Sequence, residues 1–264
     1  MPTPRYTLDN PTLCDDPAML ESLKRCGVTL SRAIALAGKY ASAGATPIEL
    51  AATVEQELVN LGATPILKGL SIEGAPVFPA AAAICVNEVA VNGVPSDTPL
   101  VRGDVVTIDS ACELDGTVCD AAVSVVVGGG GSELVSAARA VLAAALDSIR
   151  PGEPIGVIAE AARSEAHRLG FGLADECVAH GTGLALHQPP AVFAGSVEPA
   201  GGVIERGQIL AVEPVVVERG GERLRTLADG WSRAGSGRSA FEERTIVVDE
   251  KGPIELTPLA FGGW

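Results

Sequence analysis

The 264-residue sequence lacks what would place it in a membrane or on nucleic acid. Its longest apolar runs, such as AAAAICV at residues 80–86, fall far short of the roughly 20 residues a membrane-spanning helix needs. Lys and Arg number 19 against 33 Asp and Glu, a net charge of −14, and no basic cluster offers phosphates a stripe. Direct nucleic-acid binding is therefore not expected. The opening MPTPRYTLDN has no apolar core of a secretory signal. Six cysteines (Cys14, Cys26, Cys85, Cys112, Cys119, Cys177) show neither CxxC nor zinc-ribbon spacing. Three disulfides are arithmetically open to them, but a chain this long does not depend on such staples, and a reducing cytoplasm is the expected compartment. Histidine is scarce too: only His167, His180 and His187 occur.

Hydrophobic residues make up 47% of the chain, enough for a sizeable core, in one large α/β domain or two small ones by length alone. Residues 1–16, rich in Pro and Asp, read as an arm over the domain or a frayed end. Residues 17–264 read as one domain. Helical spacing runs over 17–44, and a second helix is expected at 46–62 with Thr46 as N-cap and Pro47 in its first turn. AAAAICVNEVAV, GDVVTIDSACEL and TVCDAAVSVVVGG read as strands, the last two joined by a tight turn at Asp115-Gly116. The order then restarts: a helix in SELVSAARAVLAAALDSIR stopped by Pro151-Gly152, a helix over 153–170, and strands around CVAHG, GQILAVEPVVV and RTIVVDE.

RGDVVTID (102–109) and RGQILAVE (206–213) share Arg-Gly, an apolar run and a terminal acid at an offset of 104 residues. Coincidence is the plain alternative, since glycine before a hydrophobic strand is common. The shared order of helices, Arg-Gly pair and acid favours a pseudo-repeat, about 17–130 and 131–250, with sheets meeting around one site.

Asp109, Asp120, His180, Glu213 and Glu243 are the candidate site. Asp109 and Asp120 interrupt apolar strands, where a carboxylate is costly unless paired or metal-bound. A hairpin would bring both to one face; each could instead cap a bulge or meet an arginine. His180 lies in AHGTGLALH, between glycines that allow close backbone approach. His167, among charged helical neighbours, is expected to be solvated. Glu242 and Glu243 face opposite sides of a strand, so at most one reaches the site. Four carboxylates with one imidazole suit a pair of divalent cations that activate water for hydrolysis.

These residues, with VNEVAVNGVP (86–95), AHGTGLALHQPP, AVEPVV, DGW and EERTIVV, resemble the type I methionine aminopeptidases. Those belong to the pita-bread metallopeptidases, with aminopeptidase P and prolidase as relatives. The resemblance spans residues 17–250 in family order, and no long insertion separates the motifs. It implies an α+β pita-bread fold, two pseudo-twofold-related helix-helix-strand halves with a curved antiparallel sheet around a dinuclear site. It implies an aminopeptidase acting on peptide or nascent-protein N-termini with two divalent ions (Mn, Fe, Co or Zn), as a monomer, with ribosome contact left open. Asp109 would be a terminal ligand, Asp120 and Glu243 bridging ligands, and His180 and Glu213 would complete the second metal. Glu213 would also take a proton from the attacking water. His187 would contact substrate and the tetrahedral intermediate, and Phe78, Leu186 and Trp231 would line the pocket for the first side chain.

The chain departs from the family at Asn92, where relatives carry a histidine that reaches the scissile bond. An amide donates hydrogen bonds but shuttles no proton at neutral pH. Small residues at Ala75 and Ala80–Ala83 alter the pocket edge, and Arg244 stands where relatives often have histidine. The alternative is a divergent paralogue with changed specificity (an Xaa-Pro peptidase is one form, though the large N-terminal domain usual in those is not seen) or a peptide- or partner-binding role.

Overall fold

The computed structural model describes residues 10–72, 74–194 and 202–258. Residues 1–9 of the expected arm and 259–264 of the expected domain lie outside the described residues. The first half opens with α1 (Pro17–Tyr40) and α2 (Pro47–Asn60). Asp16 caps α1, accepting from the Ala18 amide. The helix closes at Tyr40, short of the expected Gly44, and Gly44 serves the following turn at φ +93°. At α2 the Thr46 hydroxyl accepts the Glu49 amide while the Glu49 carboxylate accepts the Thr46 amide, a reciprocal cap worth about 1 kcal/mol.

Strands follow: β1 (Thr64–Pro65), β2 (Ala83–Val86), β3 (Val89–Val91), β4 (Val105–Leu114) and β5 (Thr117–Val126). The expected single strand through VNEVAV is broken at Asn87, whose φ of +54° reverses the chain. Its side chain holds the turn, donating to Asp104 and accepting from the Val105 amide. The β4–β5 turn is as expected, with Asp115 at φ +53° and Gly116 at +80°, the paired left-handed geometry of a two-residue hairpin.

The second half repeats two helices before strands: α3 (Glu133–Asp147), capped by Ser132, and α4 (Val157–Arg168). The helix expected from residue 153 begins later. Backbone bonds from Gly152 and Ile155 to Ile204 and Gly202, and from Ile204 back to Glu153, pin 152–155 in a non-helical turn against 202–204. The remaining strands are β6 (Gly172–Leu173), β7 (Cys177–Gly181), β8 (Gln188–Phe193), β9 (Ile209–Val212), β10 (Val215–Val217), β11 (Arg225–Thr226), β12 (Arg233–Ala234), β13 (Ser239–Phe241), β14 (Arg244–Asp249) and β15 (Gly252–Glu255). The run read as one strand, GQILAVEPVVV, splits at Glu213-Pro214, because proline lacks the amide that would continue the ladder.

Every pairing between these strands is antiparallel. One sheet joins β5 to β4, with β1 and β2 on β4's other edge, and a five-stranded sheet runs β15-β14-β9-β7-β8. The two shorter sheets are β13-β10-β6 and β11-β12-β3. Leu23, Leu30 and Ile34 of α1 and Leu50, Val54 and Leu58 of α2 pack on Val106, Ile108 and Val123. The helices α3 and α4 cover Leu210, Val212, Val216 and Ile246 in the same way. Each such fully buried aliphatic chain stabilises the fold by about 1.5–3 kcal/mol. All six cysteines are free, and no helix among the described residues is long and apolar enough to cross a membrane.

Candidate metal centre

The β4–β5 register fixes the first two acids. Asp109 lies opposite Ala122 and Asp120 opposite Ala111, so the acids are diagonal neighbours on one face. Ala122 also bridges to Glu243, just before β14, which adds a third carboxylate to that face. His180 on β7 lies opposite Ala211 of β9. Glu213 emerges where β9 ends, its amide held by the Val178 carbonyl at 2.8 Å.

All ten candidate site residues line one cavity of about 70 Å³: Asp109, Asp120, His180, Glu213 and Glu243 with Phe78, Asn92, Leu186, His187 and Trp231. The His180 and His187 rings sit 4.8 Å apart. Phe78 and Trp231 meet edge to face at 5.2 Å, and the Trp231 indole donates to the Pro76 carbonyl. Asn92 is exposed at the mouth in a left-handed conformation, φ +55°. Glu242 turns away, as strand alternation requires, to Arg139 at 3.2 Å and Arg244 at 3.5 Å. His167 is exposed on α4, as expected.

The sequence reading missed Leu67, Leu70 and Ala83 as lining residues. It noted the run of small residues at 80–83 but not which one faces the cavity. It also missed what Thr245 does. The Thr245 hydroxyl accepts the Asp120 amide at 2.8 Å and donates to the Asp120 carbonyl at 2.7 Å, clamping β5 to β14 beneath the acids. Arg244, fully buried, donates to the carbonyls of Glu243 and Ala122 and fastens the same junction.

Electrostatics show what this cluster suits. The His180 Nδ1–H donates to the Gly181 carbonyl at 3.0 Å, which leaves the Nε2 lone pair facing Glu213 at 3.5 Å and Asp120 at 3.8 Å. Burial pushes the His180 pKa down to about 3, so the ring is neutral at pH 7 and its Nε2 lone pair can serve a cation. Asp120 Oδ1 and Glu243 Oε1 are buried without a hydrogen-bond partner. Ligand atoms of Asp120, His180 and Glu243 all lie within 4.8 Å of one another. Burial, then mutual repulsion, raises Asp120 and Glu243 well above the carboxylate range, Asp109 rises to about 7 through burial, and Glu213 to about 8 through burial and Asp109. Inward-facing lone pairs and repelling carboxylates are what a divalent cation relieves, and an oxygen-rich set with one imidazole fits such ions.

Two consequences are measurable. In the metal-free protein these carboxyls hold protons more tightly folded than unfolded. Their contribution is complete below about pH 4 and is lost as pH rises through about 7 and about 8. Melting under chelator should show Tm falling from about pH 5 to about pH 8, with added divalent cation raising Tm more at the higher pH. A flat or rising Tm contradicts the repelling cluster. The second is Thr245→Val, which keeps the shape and removes the clamp, and is expected to weaken cation affinity about 10- to 100-fold, as loss of an outer-shell partner does. Calorimetric titration with unchanged affinity would contradict the positioning role of Thr245.

Buried carboxylates gathered with one imidazole beside an apolar pocket, on antiparallel strands backed by helices, define a metal-dependent hydrolase class of site. The chain belongs to metallopeptidase family M24, whose model matches residues 21–250. It is similar to methionine aminopeptidase of Aquifex aeolicus (strain VF5), 29% identical over 253 residues that cover 91% of this chain and 96% of that protein. The solved methionine aminopeptidase of Thermotoga maritima matches at TM-score 0.85 and 29% identity, covering 93% of this chain and 99% of that one. Prolidase from Pyrococcus furiosus, at TM-score 0.73 and 21% identity, covers 93% of this chain and 65% of that one and speaks to fold alone. The pita-bread fold that the sequence resemblance implied is the fold observed.

Proposed function

We propose that this protein is a metal-dependent aminopeptidase of methionine aminopeptidase type, removing the first residue of peptides or nascent chains. The observation that carries the reading is the neutral His180 with its free lone pair turned to Asp120 and Glu213, in a cavity shared with Asp109 and Glu243. In this reading all five residues hold two divalent ions. What such ions supply is Lewis acidity, a polarised carbonyl and a water made nucleophilic at neutral pH.

The chain's own side chains do the rest. Glu213, at the end of β9, takes the proton from the attacking water. His187, beside His180, donates a hydrogen bond to the oxygen that becomes negative, and the Asn92 amide donates a second from the mouth. Phe78, Leu186 and Trp231, with Leu67 and Leu70, offer an apolar wall to an unbranched side chain such as methionine. The acidic cluster attracts the free α-amine, which limits cleavage to one residue. A pure binding module would have no use for four carboxylates held against their own repulsion, so the non-catalytic alternative is disfavoured.

The test is release of methionine from Met-Ala-Ser-type peptides by purified protein supplied in turn with Mn²⁺, Co²⁺ and Fe²⁺, beside a panel varying the first two residues. Turnover that needs metal and prefers methionine supports the reading. Peptide binding without turnover under every metal would overturn it.

A further inference from the structure

The return from β7 to β8, residues 182–187, delivers Leu186 and His187 to the cavity. It has few backbone partners of its own. The Thr182 hydroxyl donates to the Ala185 carbonyl at 3.0 Å, and the Gly183 carbonyl accepts the Val118 amide at 2.9 Å. The Leu184 and Ala185 amides converge instead on one side-chain atom, Gln188 Oε1, at 3.1 and 3.3 Å. Gln188 directly follows His187, opens β8 and is only 4% exposed.

The other end of the same amide faces the N-terminal segment. Gln188 Nε2 donates to the Asn10 carbonyl and to the Thr12 hydroxyl, each at 2.7 Å. That segment is fastened again beyond Thr12. Leu13 bridges to Gln208, and the Cys14 amide donates to the Gly207 carbonyl at 2.6 Å. One buried side chain thus accepts from two loop amides and, at 3.0 Å, from the Thr12 hydroxyl, and donates to the segment. An apolar replacement would strand two loop amides, one of them on a buried residue.

We propose that Gln188 is a positioning residue that locks the loop carrying Leu186 and His187 to the segment at Asn10–Thr12, so that the two hold or loosen together. Only the kinetic half of this inference rests on the aminopeptidase reading; the amide-exchange half stands without it. The test uses the full chain, metal-loaded, as wild type, Gln188→Leu and Gln188→Glu. In Gln188→Leu, Leu184 and Ala185 amides should exchange about tenfold faster, the loss of one such acceptor, while β4–β5 amides keep their protection. The kcat for a methionyl peptide should fall about tenfold with KM changed less, because the loop places His187 rather than holding substrate at large.

Gln188→Glu keeps an acceptor for the loop and for the Thr12 hydroxyl and loses the donor to the Asn10 carbonyl. It should recover most of the loop protection and of kcat, while the Cys14 amide, bonded to the Gly207 carbonyl, exchanges faster as the segment loses its Asn10 anchor. Unchanged exchange at Leu184 and Ala185 in Gln188→Leu overturns the proposal, as does a Gln188→Glu protein no better than Gln188→Leu. If wild-type protein turns over no peptide, the functional reading fails, and the exchange result alone then decides the role of Gln188.

Discussion

Asp120→Asn is expected to reduce metal-dependent turnover by about 10³-fold or more while leaving the fold intact. Asp120 is embedded in the centre. It shares a strand face with Asp109, lies 3.8 Å from His180 Nε2, and carries a buried oxygen without a protein partner. An amide of the same shape removes one negative donor, and Lewis-acid stabilisation of several kcal/mol corresponds to roughly three decades in rate. Its backbone clamp from the Thr245 hydroxyl does not depend on the side chain and survives.

The same change should act in the opposite direction on the metal-free protein. Asp120 is penalised by burial and by the charges of Asp109 and Glu213, so the neutral amide should melt at the same temperature or higher under chelator. Activity and apo stability moving apart is the signature of a ligand rather than a structural acid. Turnover retained within tenfold of wild type, at equal metal loading, would remove Asp120 from the centre.

The acids were legible because each breaks a local rule. A carboxylate inside VVTID or VCDAAV is costly to bury, and Asp115-Gly116 between them names a hairpin that puts both on one face. Thr46 and Pro47 announced α2 by the same kind of short-range chemistry. What could not be read is long-range. The late start of α4 depends on residues 202–204 pinning 152–155 in a non-helical turn, and no pattern within 153–170 reveals that partner. Leu67 and Leu70 sit in an irregular stretch without periodicity, so nothing local assigns them to the cavity. Thr245 looks like any β-branched strand residue until β14 lies against β5. Gln188 looks like any loop amide until its partners arrive from residues 10–12 and 184–185.

Asn92→His is the second large effect, and it is a gain: kcat for methionyl peptides should rise about tenfold or more. Asn92 lines the cavity from its mouth, on a turn that the next residue makes rigid. Gly93 packs so closely on the Ile84 carbonyl that a Cβ there would collide with it, and its amide lies 3.4 Å from Cys85 Sγ. The side chain at 92 is therefore delivered to a fixed place. The backbone there is left-handed, φ +55°, a conformation in which asparagine and histidine are both enriched among non-glycine residues. Because the position is exposed, the larger ring needs no core space.

The chemistry gives the direction. An asparagine amide can donate or accept a hydrogen bond but transfers no proton at neutral pH, whereas an imidazole can do both. A full acid–base role is worth on the order of 10²–10⁴ in rate, and asparagine already supplies the hydrogen-bonding share, which leaves the remainder as the expected gain. Asn92→Ala separates the two contributions, since it should fall below wild type by the hydrogen-bonding share alone. Steady-state kinetics of the three proteins at equal metal content should therefore rank histidine above asparagine above alanine. A histidine variant no faster than wild type would mean that proton transfer at this position does not limit the reaction. Asn92 would then be a settled feature of this enzyme's pocket rather than the step that slows it.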